Sequence, residues 1–257
     1  MSENKVTIVS PVYLGQAHRI NYFETYINSC LNQKDFSKMN FIFLVEPDII
    51  DVESINRLKK YNNMRVLINP YKYGLLLNQY MTLHYSFEIL GLRNVIYTED
   101  DCLLSNDIYD VANTFINSHH YHDNIFTLLN KDNLVNPPTS DEGKEILEVK
   151  DHYHKDVDDK YEKESKMLYF ATWGYMCTER IWRDCMKWWP RRWCFSEHIV
   201  PWMLKTFPKI VTPKLSRLNH IGVKGASYDE DIFQEHGFTN YMPKNFDEKL
   251  EYKFKDV

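Results

Sequence analysis

The chain has 257 residues and a mass of 30.9 kDa, enough for one large α/β domain with a sizeable core. Apolar content of 44% and charged content of 26% exclude a disordered, collagen-like or coiled-coil chain, and a net charge of −5 gives no global field to draw it onto nucleic acid or anionic lipid. The five scattered cysteines form no CxxC pair, which argues against a disulfide framework or a zinc knuckle. Without a leader pattern or a membrane-length apolar run, the sequence predicts a soluble, cytoplasmic protein with no membrane partner.

The first half alternates in period. Residues 6–12 are a β-rich run ended by Pro11 and Tyr13, and 20–31 carry apolar and aromatic residues at helical spacing. Residues 41–45 predict a second buried strand, closed by Glu46, Pro47 and Asp48, and 52–61 an amphipathic helix. A third strand is predicted over 64–68, stopped by Asn69-Pro70, then a helix over 75–90 and a fourth strand over 94–98 that runs into Glu99-Asp100-Asp101. This order predicts an α/β fold with a mostly parallel central sheet and helices on both faces, whose ligands bind beyond the carboxyl ends of the strands. Residues 131–166 carry 7 lysines and 11 acids around Pro137-Pro138 and read as a solvated excursion. A strand-like aromatic run follows over 167–175, a helix over 178–187, and then a stretch dense in tryptophan and arginine through Trp193.

Three adjacent carboxylates at the end of an apolar strand repel one another, so Glu99-Asp100-Asp101 reads as a site for Mg²⁺ or Mn²⁺. The competing reading is a set of acids at the start of a helix over 107–116. A carboxylate at Glu46 or Asp48 can accept the N3 proton of a uracil ring, or Pro47-Asp48 can simply form a turn. Arg19, ahead of the first helix, is placed to meet a phosphate or base, or to be solvated. In Ser196-Glu197-His198, Glu197 can act as a base beside a cleft or sit in the first turn of a helix capped by Ser196. Residues 218–227 put Gly222, Lys224, Gly225 and Ser227 in one loop, suited to a diphosphate but also to a plain surface loop. The histidines at 119, 120, 122, 152 and 154 lack zinc-ligand spacing, and Cys194 near His198 lacks a third orienting group.

Taken in order, these pieces resemble the N-acetylglucosaminyltransferase I family of inverting glycosyltransferases, which have the GT-A fold and use a UDP-sugar and Mn²⁺. The resemblance spans most of the chain. It rests on the opening strand and helix with Pro11 and Arg19, on residues 73–87 with His84-Tyr85, and on the strand ending in Glu99-Asp100-Asp101. It continues through Trp173-Gly174, Glu179-Arg180-Ile181-Trp182, Trp189-Pro190, residues 213–217, the Gly-x-Lys-Gly-x-Ser loop at 222–227, and Phe233 with His236. The resemblance implies that Asp101 is the metal ligand, that Glu99 and Asp100 contact sugar and ribose, and that Gly225, Ala226 and Ser227 close over the diphosphate. Where the family has Trp-Asp-Asp-Trp, this chain has Ser196-Glu197-His198, so the family's catalytic aspartate falls on Glu197 or, with a slip of one, on His198.

The resulting expectation is a single GT-A catalytic domain over 1–257, with a nucleotide-sugar half (1–110), a charged insertion (131–166) and an acceptor half (167–257). It would be an enzyme moving a sugar from a UDP-sugar to a glycan or small-molecule hydroxyl with Mn²⁺ or Mg²⁺ as cofactor. Trp173, Gly174, Trp189 and Trp193 are the candidate sugar and acceptor contacts. An alternative acceptor is a hydroxymethylated base in DNA, which would make this a viral protein acting in host cytoplasm. The basic, aromatic stretch 187–193 favours it and the net charge opposes it. A nucleotidyltransferase should carry a lysine-bearing glycine loop after the first strand, which 10–16 does not provide. A carbohydrate-binding module leaves the three acids without a purpose.

Overall fold

The computed structural model describes residues 6–49, 51–151, 173–188, 203, 206–207, 209–223, 231, 234 and 241–257. The parallel half forms as the sequence predicts. Strands β1 (Val6–Val12), β2 (Met39–Val45), β3 (Met64–Ile68) and β4 (Asn94–Thr98) alternate with helices α1 (Ala17–Leu31), α2 (Val52–Leu58) and α3 (Gly74–His84). β1 lies between β2 and β4 and parallel to both, and β2 is parallel to β3. All four strands therefore end on one side of the sheet.

The predicted helix over 75–90 is two elements. α3 stops at His84, and a π-helical turn (Tyr85–Ile89) follows, closed by the Leu90 N–H donating to the Tyr85 carbonyl. That wide turn sets Phe87 flat against Trp182, with ring centroids 5.6 Å apart, while the Trp182 indole N–H donates to Glu88 at 2.7 Å. Beyond β4 come β5 (Cys102–Leu104), α4 (Ile108–Ile116), β6 (Asn124–Thr127), α5 (Asp132–Val135), β7 (Ile146–Asp151), β8 (Gly174–Thr178), α6 (Glu179–Asp184), β9 (Lys209–Pro213), β10 (Leu218–His220) and β11 (Lys253–Asp256).

Among the described residues, nine strands make one sheet in the order β11-β7-β9-β6-β8-β4-β1-β2-β3. β8 runs antiparallel to both β4 and β6, so the sheet is mixed, with a parallel half and a reversed strand at its centre. Strand alternation sends successive side chains to opposite faces. Ile8, Phe41 and Phe43 pack with Phe23 and Tyr26 of α1 and Phe115 of α4 on one face. Val9, Ile42 and Tyr97 pack with Leu83 of α3 and Trp182 of α6 on the other. A separate two-stranded ribbon pairs β5 with β10, placing His220 opposite Cys102.

The charged stretch 131–166 is not simply a solvated excursion. Its residues 146–151 are β7, inside the sheet between β9 and β11. Leu147 and Val149 are fully buried on one face. On the other, the buried Lys150 ammonium is neutralised by Asp132 at 2.6 Å and Glu148 at 2.9 Å. The dense charge hid a period-2 pattern whose charged positions pair with one another. Residues 152–166 lie outside those described. No helix among the described residues is long and apolar enough to cross a membrane.

Candidate functional site

β4 delivers its last buried residue, Thr98, into a hydroxyl triad with Ser10 of β1 (2.8 Å) and Tyr26 of α1 (2.6 Å). This pins the end of β4 to its neighbours, and the chain then lays down Glu99, Asp100 and Asp101 before resuming as β5. The acids do not belong to a helix start, because α4 begins at Ile108. Asp100 and Asp101 are 4% and 3% exposed. Asp100 accepts the Tyr13 backbone N–H at 2.8 Å and also pairs with the Arg19 guanidinium. Asp101 accepts from the other Arg19 terminal nitrogen at 2.6 Å and faces the imidazole Nε2 of His220 at 3.2 Å. Glu99 accepts from the Gln79 side-chain amide of α3 at 3.1 Å.

The ribbon brings His220 here. The Ile221 N–H donates to the Asp101 carbonyl at 2.8 Å, and Gly222 then passes so close that a Cβ on it would lie 2.2 Å from Asp101 Oδ2. Ligand atoms of Glu99, Asp101 and His220 lie within 4.8 Å of one another.

Burial drives the electrostatics. It pushes Glu99 up to about 8, reinforced by the Asp101 charge, and Asp100 up to about 6 against the pull of Arg19. Burial would raise Asp101 as well, but His220 and Arg19 outweigh it and hold this carboxyl below its ordinary range. Burial alone would lower His220, yet the Asp101 carboxylate raises it. Three carboxylates thus face one guanidinium and one imidazole, and a cation, Arg19, already stands among them. Two carboxylates and an imidazole are donors that suit Mn²⁺, and the bare Gly222 leaves the Asp101 carboxylate the space to take its place among them.

Of the residues singled out from sequence, Arg19, Glu99, Asp100 and Asp101 come together. Pro11 is buried in β1 opposite Leu44, two residues before the Tyr13 N–H that holds Asp100. Glu46 is buried and accepts the Tyr73 N–H with both oxygens (2.9 and 3.2 Å) at the start of α3. Burial pushes its carboxyl up. Asp48 is exposed and pairs with Lys72 at 2.6 Å, and the Lys72 ammonium lies 5.5 Å from the centre of the Tyr13 ring. Trp173 is half-buried with its ring 5.3 Å from that of His220. The Gly174 carbonyl accepts from Leu128 N–H and the Thr127 hydroxyl, and a Cβ there would lie 2.3 Å from Leu218. Trp189, Trp193, Glu197, His198, Gly225, Ala226 and Ser227 lie outside the described residues.

Sequence reasoning missed His220 and Gln79. The signal for His220 was an imidazole at the end of a strand-like Leu-Asn-His run just ahead of a glycine. Gln79 gives no signal, being one polar residue on a helix.

No protein-family model and no curated protein matches this chain. Solved structures do. S. aureus TarS 1–349 in complex with UDP superposes with a TM-score of 0.54 at 12% identity, over 83% of this chain and 59% of that one. A second structure of TarS 1–349 gives 0.55 at 13%, over 85% and 61%. The mannosyltransferase PcManGT from Pyrobaculum calidifontis, in complex with GDP-Man and Mn²⁺, gives 0.57 at 12%, over 87% and 58%. The chain thus spans about three fifths of the length of each of these structures. At such identities the likeness speaks to the fold alone, which is mixed α/β and GT-A-like.

Proposed function

We propose that the protein is a metal-dependent inverting glycosyltransferase that moves a sugar from a UDP-sugar to an acceptor hydroxyl. The observation that carries this reading is the convergence of Glu99, Asp101 and His220 beside Arg19 at the carboxyl end of β4. Neighbours of the same fold that hold UDP, or GDP-Man with Mn²⁺, support it, as does the resemblance to the N-acetylglucosaminyltransferase I family. Asp101, with Glu99 and His220, would hold Mn²⁺ or Mg²⁺, which would supply positive charge against the negative charge that develops on the departing nucleoside diphosphate.

The chain's own residues do the rest. Glu46 or Asp48 accepts a hydrogen bond from the uracil N3–H, Glu99 and Asp100 orient sugar and ribose, and Gly225, Ala226 and Ser227 close over the diphosphate and exclude water. Trp173, Gly174, Trp189 and Trp193 line the sugar and acceptor side. Glu197, or His198 beside it, takes the acceptor proton as the hydroxyl oxygen attacks the anomeric carbon. The bond from that carbon to the diphosphate breaks on the opposite face, so configuration inverts. Residues 1–110 form the donor half of this single catalytic domain and 167–257 the acceptor half.

Thermal denaturation with a panel of nucleotide sugars, each with and without Mn²⁺, tests the donor assignment. A UDP-sugar with Mn²⁺ at about 100 times its dissociation constant should add roughly 2.7 kcal/mol of stability. A panel in which no nucleotide sugar stabilises the protein in a metal-dependent way sinks it. Product analysis with glycans, small alcohols and hydroxymethylated DNA then identifies the acceptor.

Gly222→Ala offers a sharper check on the cation pocket. The added methyl would press on the Asp101 carboxylate, so Mn²⁺ affinity should fall by about 10-fold or more while the melting temperature stays within a few degrees. Unchanged Mn²⁺ affinity would remove Asp101 from the pocket.

A further inference from the structure

Arg19 occupies the position a metal cation should compete for. Its two terminal nitrogens bridge Asp100 and Asp101, the Asp101 contact being 2.6 Å, and its side chain is only 13% exposed. The remaining oxygen of Asp100 is held by the Tyr13 N–H at 2.8 Å, and that of Asp101 faces His220 at 3.2 Å. Each oxygen of the two carboxylates thus faces a cation or an N–H of the protein itself, although Asp101 Oδ1, opposite His220, makes no hydrogen bond among the described residues. A dication entering beside Asp101 would meet a guanidinium on the same carboxylate, at a range where like charges repel strongly in a buried site. Arg19 sits at the third position of α1, one turn past the β1 loop, and its long side chain can swing without moving backbone.

Given the metal-dependent reading above, on which this inference rests, the geometry points to Arg19 as an internal counter-ion that the divalent cation displaces. The freed guanidinium then meets the nucleotide's diphosphate, so cation and nucleotide bind as a coupled pair. Arg19 is in that sense a positioning residue. It holds the two carboxylates apart from bulk ions until a diphosphate arrives to receive it, and it makes tight metal binding conditional on the nucleotide. By linkage, the factor by which UDP tightens Mn²⁺ must equal the factor by which Mn²⁺ tightens UDP, and both should depend on Arg19.

Free Mn²⁺ measured by electron paramagnetic resonance, titrated into the full chain with and without UDP, reads this directly. Wild type should bind Mn²⁺ weakly alone and on the order of 10-fold more tightly with UDP. Arg19→Ala should bind Mn²⁺ alone at least several-fold more tightly than wild type, with a smaller UDP-induced gain. Arg19→Lys, which keeps a charge but cannot bridge two carboxylates, should fall between them. The melting temperature gives an independent readout that also reports folding: Mn²⁺ alone should raise it in Arg19→Ala, whereas wild type should need Mn²⁺ and UDP together. If wild type binds Mn²⁺ with UDP but Arg19→Ala binds Mn²⁺ no more tightly than wild type, the displacement idea is overturned and the metal-dependent reading survives. If no form binds Mn²⁺ with or without UDP, both fall.

Discussion

Asp101→Asn should cut sugar transfer on the order of 10²–10³-fold, the usual cost of losing a charged group that stabilises developing charge, while leaving the domain folded. Asparagine keeps the shape of the side chain and the Ile221-to-Asp101 backbone hydrogen bond, so the ribbon of β5 and β10 should persist. What it loses is the negative charge that both His220 and Arg19 face. Two opposing effects keep the stability change small. The Asp101 carboxyl is held below its ordinary range in the folded protein, so its charge contributes stability at all pH values above the ordinary carboxylate range, and the substitution forfeits that. In exchange, Glu99 and Asp100, both pushed up in part by the Asp101 charge, are relieved. The informative comparison is with Asp100→Asn, whose carboxylate partners Arg19 and a backbone N–H and stands outside the Glu99-Asp101-His220 cluster. That variant should lose less activity and keep Mn²⁺ binding. Initial rates at saturating Mn²⁺, alongside melting curves, separate the two. Asp101→Asn working at the wild-type rate would take the metal role away from this residue.

How far the sequence foretold this site depends on whether a residue's role is local. The ends of β2, β3 and β4 were legible because each is a short apolar run stopped by an acid or by Asn-Pro, and the acid triplet was legible because its charge is adjacent in sequence. Lys150 and Glu148 were misread with their neighbours, since charged residues that pair along one strand face, and with Asp132 of α5, look like solvated ones until the fold brings them together. His220 was missed as a site residue for another reason. Its relation to Asp101 exists only because β10 returns antiparallel to β5, a long-range pairing that periodicity does not encode. Gly222 was read as a glycine for a diphosphate loop, yet in the structure its missing side chain clears space for the Asp101 carboxylate. The termination of α3 at His84 illustrates a third limit. The apolar spacing continues through 90, and the wider turn answers to the packing of Phe87 on Trp182 from a distant helix.

The largest effect on stability should come from Arg217→Met, with a loss of about 3–5 kcal/mol, the cost of stranding one charge of a buried pair. Arg217 is fully buried, and its Nε donates to Asp107 at 3.0 Å, itself almost fully buried. Its remaining donors reach the Leu215 carbonyl at 2.5 Å, the Lys144 carbonyl and the Tyr252 hydroxyl at 3.2 Å, while the guanidinium lies 4.5 Å from the centre of the Phe246 ring. One side chain thus ties the charged stretch, the C-terminal tail and the segment before α4 to a single point. Methionine restores the volume and removes every one of those hydrogen bonds, leaving Asp107 with the Ser105 and Tyr252 hydroxyls in the absence of a countercharge. Against a total of 5–15 kcal/mol for a domain, that is a large share. Urea unfolding measures it, and the double variant Arg217→Met/Asp107→Leu should recover part of the loss, because removing both charges costs less than orphaning one. The effect should also reach the site. The Arg217 backbone is clamped between the Leu128 carbonyl and the Ser105 N–H, one residue before β10 carries His220 to Asp101. Loosening that clamp should lower Mn²⁺ affinity even at temperatures where Arg217→Met is still folded. A variant that loses stability yet binds Mn²⁺ as wild type would confine Arg217 to the fold and detach it from the delivery of His220.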